Sequence, residues 1–413
     1  MSKFSKRTLL RALVPGLVIG ALSFAGCQDP NANKGGGESG GNSTSTAAAQ
    51  KLDVETIKVG QYASITGDTS TFGQESNAGL VFAVEELNAA GGIEVGGKKM
   101  KVVIETQDDQ SKAEEAKTIA VKFASDPEMV AVIGEVASSR SKTAAPEFQR
   151  AGLPMISPSS TNPDVTKVGD YIFRVCFLDS FQGYVIAKYA SEDLKAKTMA
   201  IMQDPQQDYS MGLAEFIKKE FEALGGKVAV TVSYNAKDSD FRGQIGQIKA
   251  ANVDIVAIPG YYGEVGTIAR QMQEAGITAK LIGGDGWDSE KLIEGAGGPS
   301  KALEGAYFTT HFAQSDPRPN VQKFVQAYKA KNGKAPAALV AQGYDAMMIL
   351  ADAIKRAGSI ERKKVRDALA ATKNYDGMTG NITIDPNRDA NKSAVIVQVK
   401  GADFAYLKTI NPK

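Results

Sequence analysis

Val130-Ala131-Val132-Ile133-Gly134 is an unbroken apolar run; after three more residues Ser138-Ser139 opens a helical pattern that ends before Gly152, and Leu153 to Ser157 is apolar again. Apolar residues in succession, without alternation, predict a strand covered on both faces. Strand, helix and strand over so short a span predict a right-handed crossover between parallel neighbours.

The same alternation extends outward in both directions. Toward the N-terminus, Ile57 to Gly60 predicts a strand, and Asn77 to Asn88 a helix with Leu80, Val81, Val84 and Leu87 on one face, closed by Gly91-Gly92. Met100 to Glu105 predicts a strand running to Asp108-Asp109, and Lys112 to Ser125 a helix. Toward the C-terminus, a second set of units begins near Leu178. Its strands are Thr198–Gln203, Val228–Ser233, Val253–Pro259 and Lys280–Gly283, and its helices are Met211–Leu224, Phe241–Ala251 and Glu264–Ala275. The last third is more mixed: helices at Val321–Asn332, Gln342–Ala357 and Lys363–Ala371, then a hairpin of Ala394–Lys400 and Tyr406–Ile410. Two such runs predict an α/β protein of two doubly wound parallel-sheet lobes. With 413 residues the chain is long enough for a core in each.

The first 26 residues carry Lys3, Lys6, Arg7 and Arg11 and no acid; an uncharged, largely apolar run from Ala12 to Ala25 follows. That run is shorter than the ~20 apolar residues a membrane span needs and suits a signal peptide. It ends in Leu22-Ser23-Phe24-Ala25-Gly26-Cys27, which resembles the lipobox of bacterial lipoproteins, with Phe24 where Leu is usual. Residues 1–26 are therefore expected to be a lipoprotein signal peptide, Cys27 the acylated residue, and 27–55 a flexible tether rich in Gly, Ser and Thr. The other cysteine, Cys176, lies in an apolar stretch and reads as a buried thiol. Beyond residue 26 there are 44 basic and 47 acidic residues, about −3 in net charge, which excludes a strongly basic nucleic-acid binder.

Catalytic and metal chemistry find little support. The single histidine, His311, excludes a His-clustered metal site and makes a catalytic His network implausible; it reads as a packed or hydrogen-bonded residue. Phosphate-loop, dinucleotide and nucleophile-elbow motifs do not occur. No cofactor, metal or catalytic residue is expected, although carboxylate catalysis stays open because acids are plentiful. Polar and aromatic residues do stand just after strands, where open parallel sheets bind ligands. Ser138-Ser139 and Ser159-Ser160-Thr161 offer hydroxyls and, at Ser138, a helix N-terminus suited to a carboxylate; each also reads as a cap or turn. Asp285 follows a strand of the second set and suits an ammonium group, and Tyr209 and Tyr261 suit an apolar wall. Together they match the two ends of an α-amino acid.

These residues carry a resemblance. From about Ile57 to near the C-terminus the chain resembles the leucine/isoleucine/valine-binding proteins of ABC importers, within the type I periplasmic binding fold. The carrying segments include Ile57-Lys58-Val59-Gly60, Asn88-Ala89-Ala90-Gly91-Gly92-Ile93, Asp108-Asp109, Ile156-Ser157-Pro158-Ser159-Ser160-Thr161, Asp179-Ser180 with Gln182-Gly183, and Gly343-Tyr344-Asp345-Ala346. The resemblance implies a hinge between a first lobe of residues 56–178 and 311–380 and a second of 179–310 and 381–413. It implies Ser138 and Thr161 as side-chain ligands of a carboxylate, with Ser159 contributing backbone contacts and Ser160 beside them. Asp285 would take the ammonium, where the best-known members have Glu. Tyr209, Tyr261 and Phe72 would line the pocket, and Leu339 falls where a larger aromatic can stand. Implied partners are a small amino acid or amide, an ABC permease and a lipid anchor; the chain would be exported and monomeric. Competing readings are a ligand-sensing receptor of the same fold and an exported α/β enzyme.

Overall fold

The computed structural model describes residues 56–299 and 301–412. The expected signal peptide and tether, Cys27 included, lie outside the described residues. The stretch Val130–Ile133 sits near the middle of a six-stranded sheet. Its strands are β1 (Thr56–Ala63), β2 (Ile93–Val95), β3 (Lys98–Asp108), β4 (Met129–Ile133), β5 (Met155–Ser157) and β6 (Ile172–Arg174). Their order is β2-β3-β1-β4-β5-β6, and all pairs are parallel except β2 with β3. Every residue of β4 is buried, because helices cover both faces. The second lobe is built on β7 (Thr198–Gln203), β8 (Lys227–Ser233), β9 (Ile255–Ala257), β10 (Lys280–Gly283) and β11 (Tyr307–Thr310). A small antiparallel sheet of β12 (Tyr375–Gly377), β13 (Gly380–Ile384) and β14 (Ala390–Asn391) follows. The hairpin β15 (Ala394–Lys400) and β16 (Asp403–Ile410) completes the second sheet, in the order β16-β15-β11-β10-β9-β7-β8.

Each lobe has its own apolar interior. Ile57, Val59, Leu80, Val130, Ile133 and Leu350 belong to the first. Ile201, Ile217 and Ile255 lie on one face of the second sheet, and Trp287, Phe308 and Val397 on the other. Each such fully buried side chain contributes roughly 1.5–3 kcal/mol relative to exposure. The expected strands and helices are present, most of them with ends moved by a few residues. The helix expected at Asn77–Asn88 is longer, Ser70–Ala89, which makes Phe72 a helical residue. A helix at Asp179–Lys188 was not expected, nor was the sheet of β12 to β14. The chain passes between lobes near Val175–Phe177, His311–Phe312 and Lys392–Ser393, where membership of the two interiors changes. The third passage lies beyond the expected 380/381. Ile382, Ile384 and Ala390 remain with the first interior because β13 pairs with β12 and β14 there.

Among the described residues no helix is long and apolar enough to cross a membrane. No group of three or more His, Cys, Asp or Glu among them is arranged to hold a metal ion. Cys176 is buried, its thiol 3.4 Å from the Ser160 carbonyl, and burial pushes it up to about 12.

Candidate ligand-binding site

The order of the first sheet reverses between β1 and β4, and that of the second between β7 and β9, so each sheet has a crevice at the carboxyl ends of its strands. The two crevices face each other. Between them lies a cavity of about 260 Å³, lined by Phe72, Val136, Ser138, Ser159, Tyr209, Tyr261, Asp285, Gly286 and Leu339. Six of the eight expected ligand-binding residues are in that lining, and Leu339 with them.

The first-lobe wall is neutral and rich in donors. Ser138 opens the helix Ser138–Arg150 after the short loop that follows β4, and its Oγ accepts from the Asn162 amide at 3.2 Å. The unpaired N–H groups of that helix start favour an anion. Ser159 follows β5; the Gln342 amide, itself bonded to the Pro158 carbonyl at 2.8 Å, lies 3.2 Å from its Oγ and fixes its place. Ser160 and Thr161 are buried but do not line the cavity. The Ser160 hydroxyl lies 2.8 Å and 3.0 Å from the carbonyls of Glu135 and Val136 and 2.7 Å from the Ser141 hydroxyl. It therefore ties the loop after β5 to the loop after β4. The Thr161 carbonyl accepts from the Asp179 amide at 2.9 Å, and its hydroxyl favours the charged form of that carboxyl.

The second-lobe wall carries the charge. Asp285 follows β10 between two glycines. A Cβ on Gly284 would meet the Tyr209 Oη at 2.4 Å, and one on Gly286 the Gly260 carbonyl at 2.6 Å, so only glycine permits this approach. The Gln182 amide donates to Asp285 Oδ1 at 2.8 Å, His311 Nε2 lies 3.0 Å from Oδ2, and the Ser159 hydroxyl reaches across the cavity to Oδ2 at 3.4 Å. Trp287, two residues on, is fully buried and donates from Nε1 to the Ile258 carbonyl at 2.9 Å. Asp179 is buried nearby, and burial followed by the charge of Asp285 raises its carboxyl far above the usual range. His311 goes the other way: burial lowers it to about 4 despite its bond to Asp285, so it is neutral at ordinary pH.

The remaining wall is aromatic and apolar. Tyr209 and Tyr261 stack with centroids 5.2 Å apart and planes 11° apart, and the Tyr209 Oη accepts from the Gly286 amide at 3.1 Å. Burial raises both phenols, so both stay protonated. Phe72 crosses from the first lobe to meet Tyr261 and Tyr262 edge-on, at 5.8 Å and 4.8 Å. The lobes also touch at Ser139, whose Oγ accepts from the Asp208 amide at 3.0 Å, and at Lys142, 2.8 Å from the Asp208 carboxylate. Sequence reasoning gave Asp179 and Gln182 no role and read His311 only as a packed or hydrogen-bonded residue; the Asp179-Ser180 and Gln182-Gly183 pairs were the available signal.

Comparison with known proteins places the fold in a family. A family model described as periplasmic binding protein matches residues 56–403. The chain belongs to the periplasmic binding protein family. It is 35% identical over 343 residues, 83% of its length and 89% of the relative's, to a leucine-, isoleucine-, valine-, threonine- and alanine-binding protein of Pseudomonas aeruginosa. Among solved structures, a leucine-binding protein of Thermotoga maritima superposes with a TM-score of 0.82 at 40% identity, covering 86% of this chain and 99% of that one. A branched-chain amino acid transporter substrate-binding protein of Streptococcus pneumoniae, solved with isoleucine, gives 0.80 at 30% identity, covering 86% and 100%. The resemblance read from short segments thus holds over the folded chain, and the two-lobed α/β architecture is that of the family.

Proposed function

We propose that this protein captures an aliphatic α-amino acid, with leucine, isoleucine or valine preferred, between its lobes and delivers it to an ABC importer. One observation carries the reading. An acid with only uncharged donors around it, Asp285, faces a helix N-terminus and two serine hydroxyls across a small cavity whose other wall is apolar. Burying a zwitterion is favourable only when both charges find partners. Asp285 would take the ammonium, while Ser138, Ser159 and the helix start would take the carboxylate. Phe72, Tyr261, Val136 and Leu339 would surround the side chain, and the names of the relatives support an aliphatic one. Ser160 and Thr161 would support the wall from behind.

Membership in a periplasmic family implies export. The finer reading, a monomer anchored through an acylated Cys27 that binds its ligand without turning it over, rests on the sequence. Mass spectrometry of ligand released from the purified protein, followed by calorimetry with L-leucine, tests the ligand. Recovery of a non-amino acid with no heat from leucine, isoleucine or valine would overturn the reading. Intact-mass measurement of the N-terminus tests the anchor, and a chain lacking the acyl mass removes it.

A further inference from the structure

His311 stands directly after β11, at the second passage between the lobes, and is 2% exposed. Its ring stacks on Phe177, from the first passage, with centroids 3.8 Å apart and planes 22° apart. That stack fixes the ring, and Nε2 then points at Asp285 Oδ2 from 3.0 Å. The other ring nitrogen, Nδ1, is buried with no hydrogen-bond partner. A proton on Nδ1 would be an orphaned buried donor, whereas a proton on Nε2 meets a carboxylate. The neutral ring is therefore the Nε2–H tautomer, donating to Asp285. Gln182 donates to the other oxygen from 2.8 Å.

We infer that His311 is a positioning residue that sets specificity: with Gln182 it holds the Asp285 carboxylate in place at the cavity wall, so that the site demands an α-ammonium group. This rests on the reading of Asp285 given above. The choice of a neutral donor has a physical reason. A Lys or Arg in the same place would pair with Asp285 and compete with the ligand, and an apolar residue would leave one carboxylate oxygen without its donor. A buried imidazole does neither. The other titratable groups around the pair are Asp179, Arg174, Cys176, Tyr209, Tyr261, Asp288 and Lys392. Lys392, fully buried at the third passage, opposes protonation of the ring. Only in acid does the ring become a cation, and it then pairs with Asp285 in place of the ligand.

The chain has one histidine, so its ring can be observed without assignment. In nitrogen-15 NMR of histidine-labelled protein we expect the Nε2–H tautomer at neutral pH, a slowly exchanging Nε2 proton, protonation only near pH 4, and a shift when leucine is added. An Nδ1–H tautomer, or titration at the ordinary value of about 6.5, overturns the inference whatever the variants do. In calorimetry, His311→Phe should weaken leucine roughly 10- to 100-fold. It should also narrow the preference for leucine over 4-methylpentanoate, the same molecule without its amine. His311→Gln, which returns an N–H at the Nε2 position, should restore most of both. A folded His311→Phe protein that keeps the wild-type affinity and preference overturns the inference. If the wild-type protein itself binds 4-methylpentanoate as tightly as leucine, the ammonium reading of Asp285 fails first, and this inference with it.

Discussion

Two buried acid clusters flank the cavity, one in each lobe, and they are balanced in opposite ways. In the first lobe, Glu135 and Asp109 share Arg140, whose Nε lies 3.1 Å from Glu135 and 3.9 Å from Asp109. Ser64 Oγ lies 2.7 Å from Asp109 and 3.0 Å from Glu135, and the Arg140 Nη2 donates to Thr69 at 2.7 Å. Burial, then the neighbouring Glu135, raises Asp109 to about 7. Burial alone would lower Arg140, but Glu135, Tyr261 and Asp109 more than offset it and raise the guanidinium overall. The protein supplies its own cation there. In the second lobe, Asp285 is held by an amide, a neutral imidazole and a hydroxyl. The nearby Arg174 is engaged elsewhere: its Nε donates to Asp389 at 2.7 Å and its other N–H groups to the Ser160 and Asn162 carbonyls and the Thr166 hydroxyl. The first acid pair has its counter-charge within the protein, whereas Asp285, on the reading proposed above, would receive its own from the ligand.

The comparison breaks most easily at Arg140. Arg140→Met leaves two acids buried without their cation and should cost about 3–5 kcal/mol in urea unfolding, with little change in leucine affinity for the protein that remains folded. A loss under 1 kcal/mol would mean the first cluster is not balanced by Arg140. Asp285→Asn should behave in the opposite way. Leucine affinity in calorimetry should fall by about 2–5 kcal/mol, while stability without ligand holds or rises, since a partly buried charge without a counter-ion is gone. A variant that unfolds like Arg140→Met would place Asp285 among the structural acids.

Acid should sharpen the contrast further. The folded-state value of His311, about 4, lies below the ordinary 6.5, so between these values the unfolded chain binds more protons. The stability this group contributes is present above pH 6.5 and is lost as pH falls toward 4, by up to about 3 kcal/mol. Melting curves across that window should flatten in His311→Gln. The smallest effects separate neighbours on the first-lobe wall. Ser138→Ala should weaken leucine about tenfold, the scale of one hydrogen bond to a charged group. Ser160→Ala should cost about 1 kcal/mol of stability and leave affinity within about twofold.

Which of these residues could be read from sequence follows from how local their signal is. Strands such as Val130–Ile133 announce themselves as apolar runs, and a residue just past such a run stands at a strand's carboxyl end. Ser138, Ser159, Tyr209, Tyr261 and Asp285 were legible for that reason. The helix Asp179–Lys188 was not, because Asp179, Gln182, Gly183, Val185, Ile186 and Ala187 are all buried and leave no polar face to set a period. The bond from His311 to Asp285 joins residues that follow different strands, and no spacing encodes it. Ser160 shows a finer limit. It is adjacent to Ser159, yet its hydroxyl turns to backbone carbonyls while that of Ser159 turns to the cavity. Side-chain direction in a loop depends on acceptors that the sequence does not reveal.

Trp287 has one further consequence. It is the only tryptophan in the chain, fully buried, with its indole N–H tied to Ile258 and its backbone two residues from Asp285. All indole emission from the molecule therefore originates two residues from Asp285, at the cavity wall. If Asp285 holds the ligand as proposed, the protein carries an unlabelled optical gauge of its own occupancy, and rapid mixing with leucine would time capture and release from the native chain.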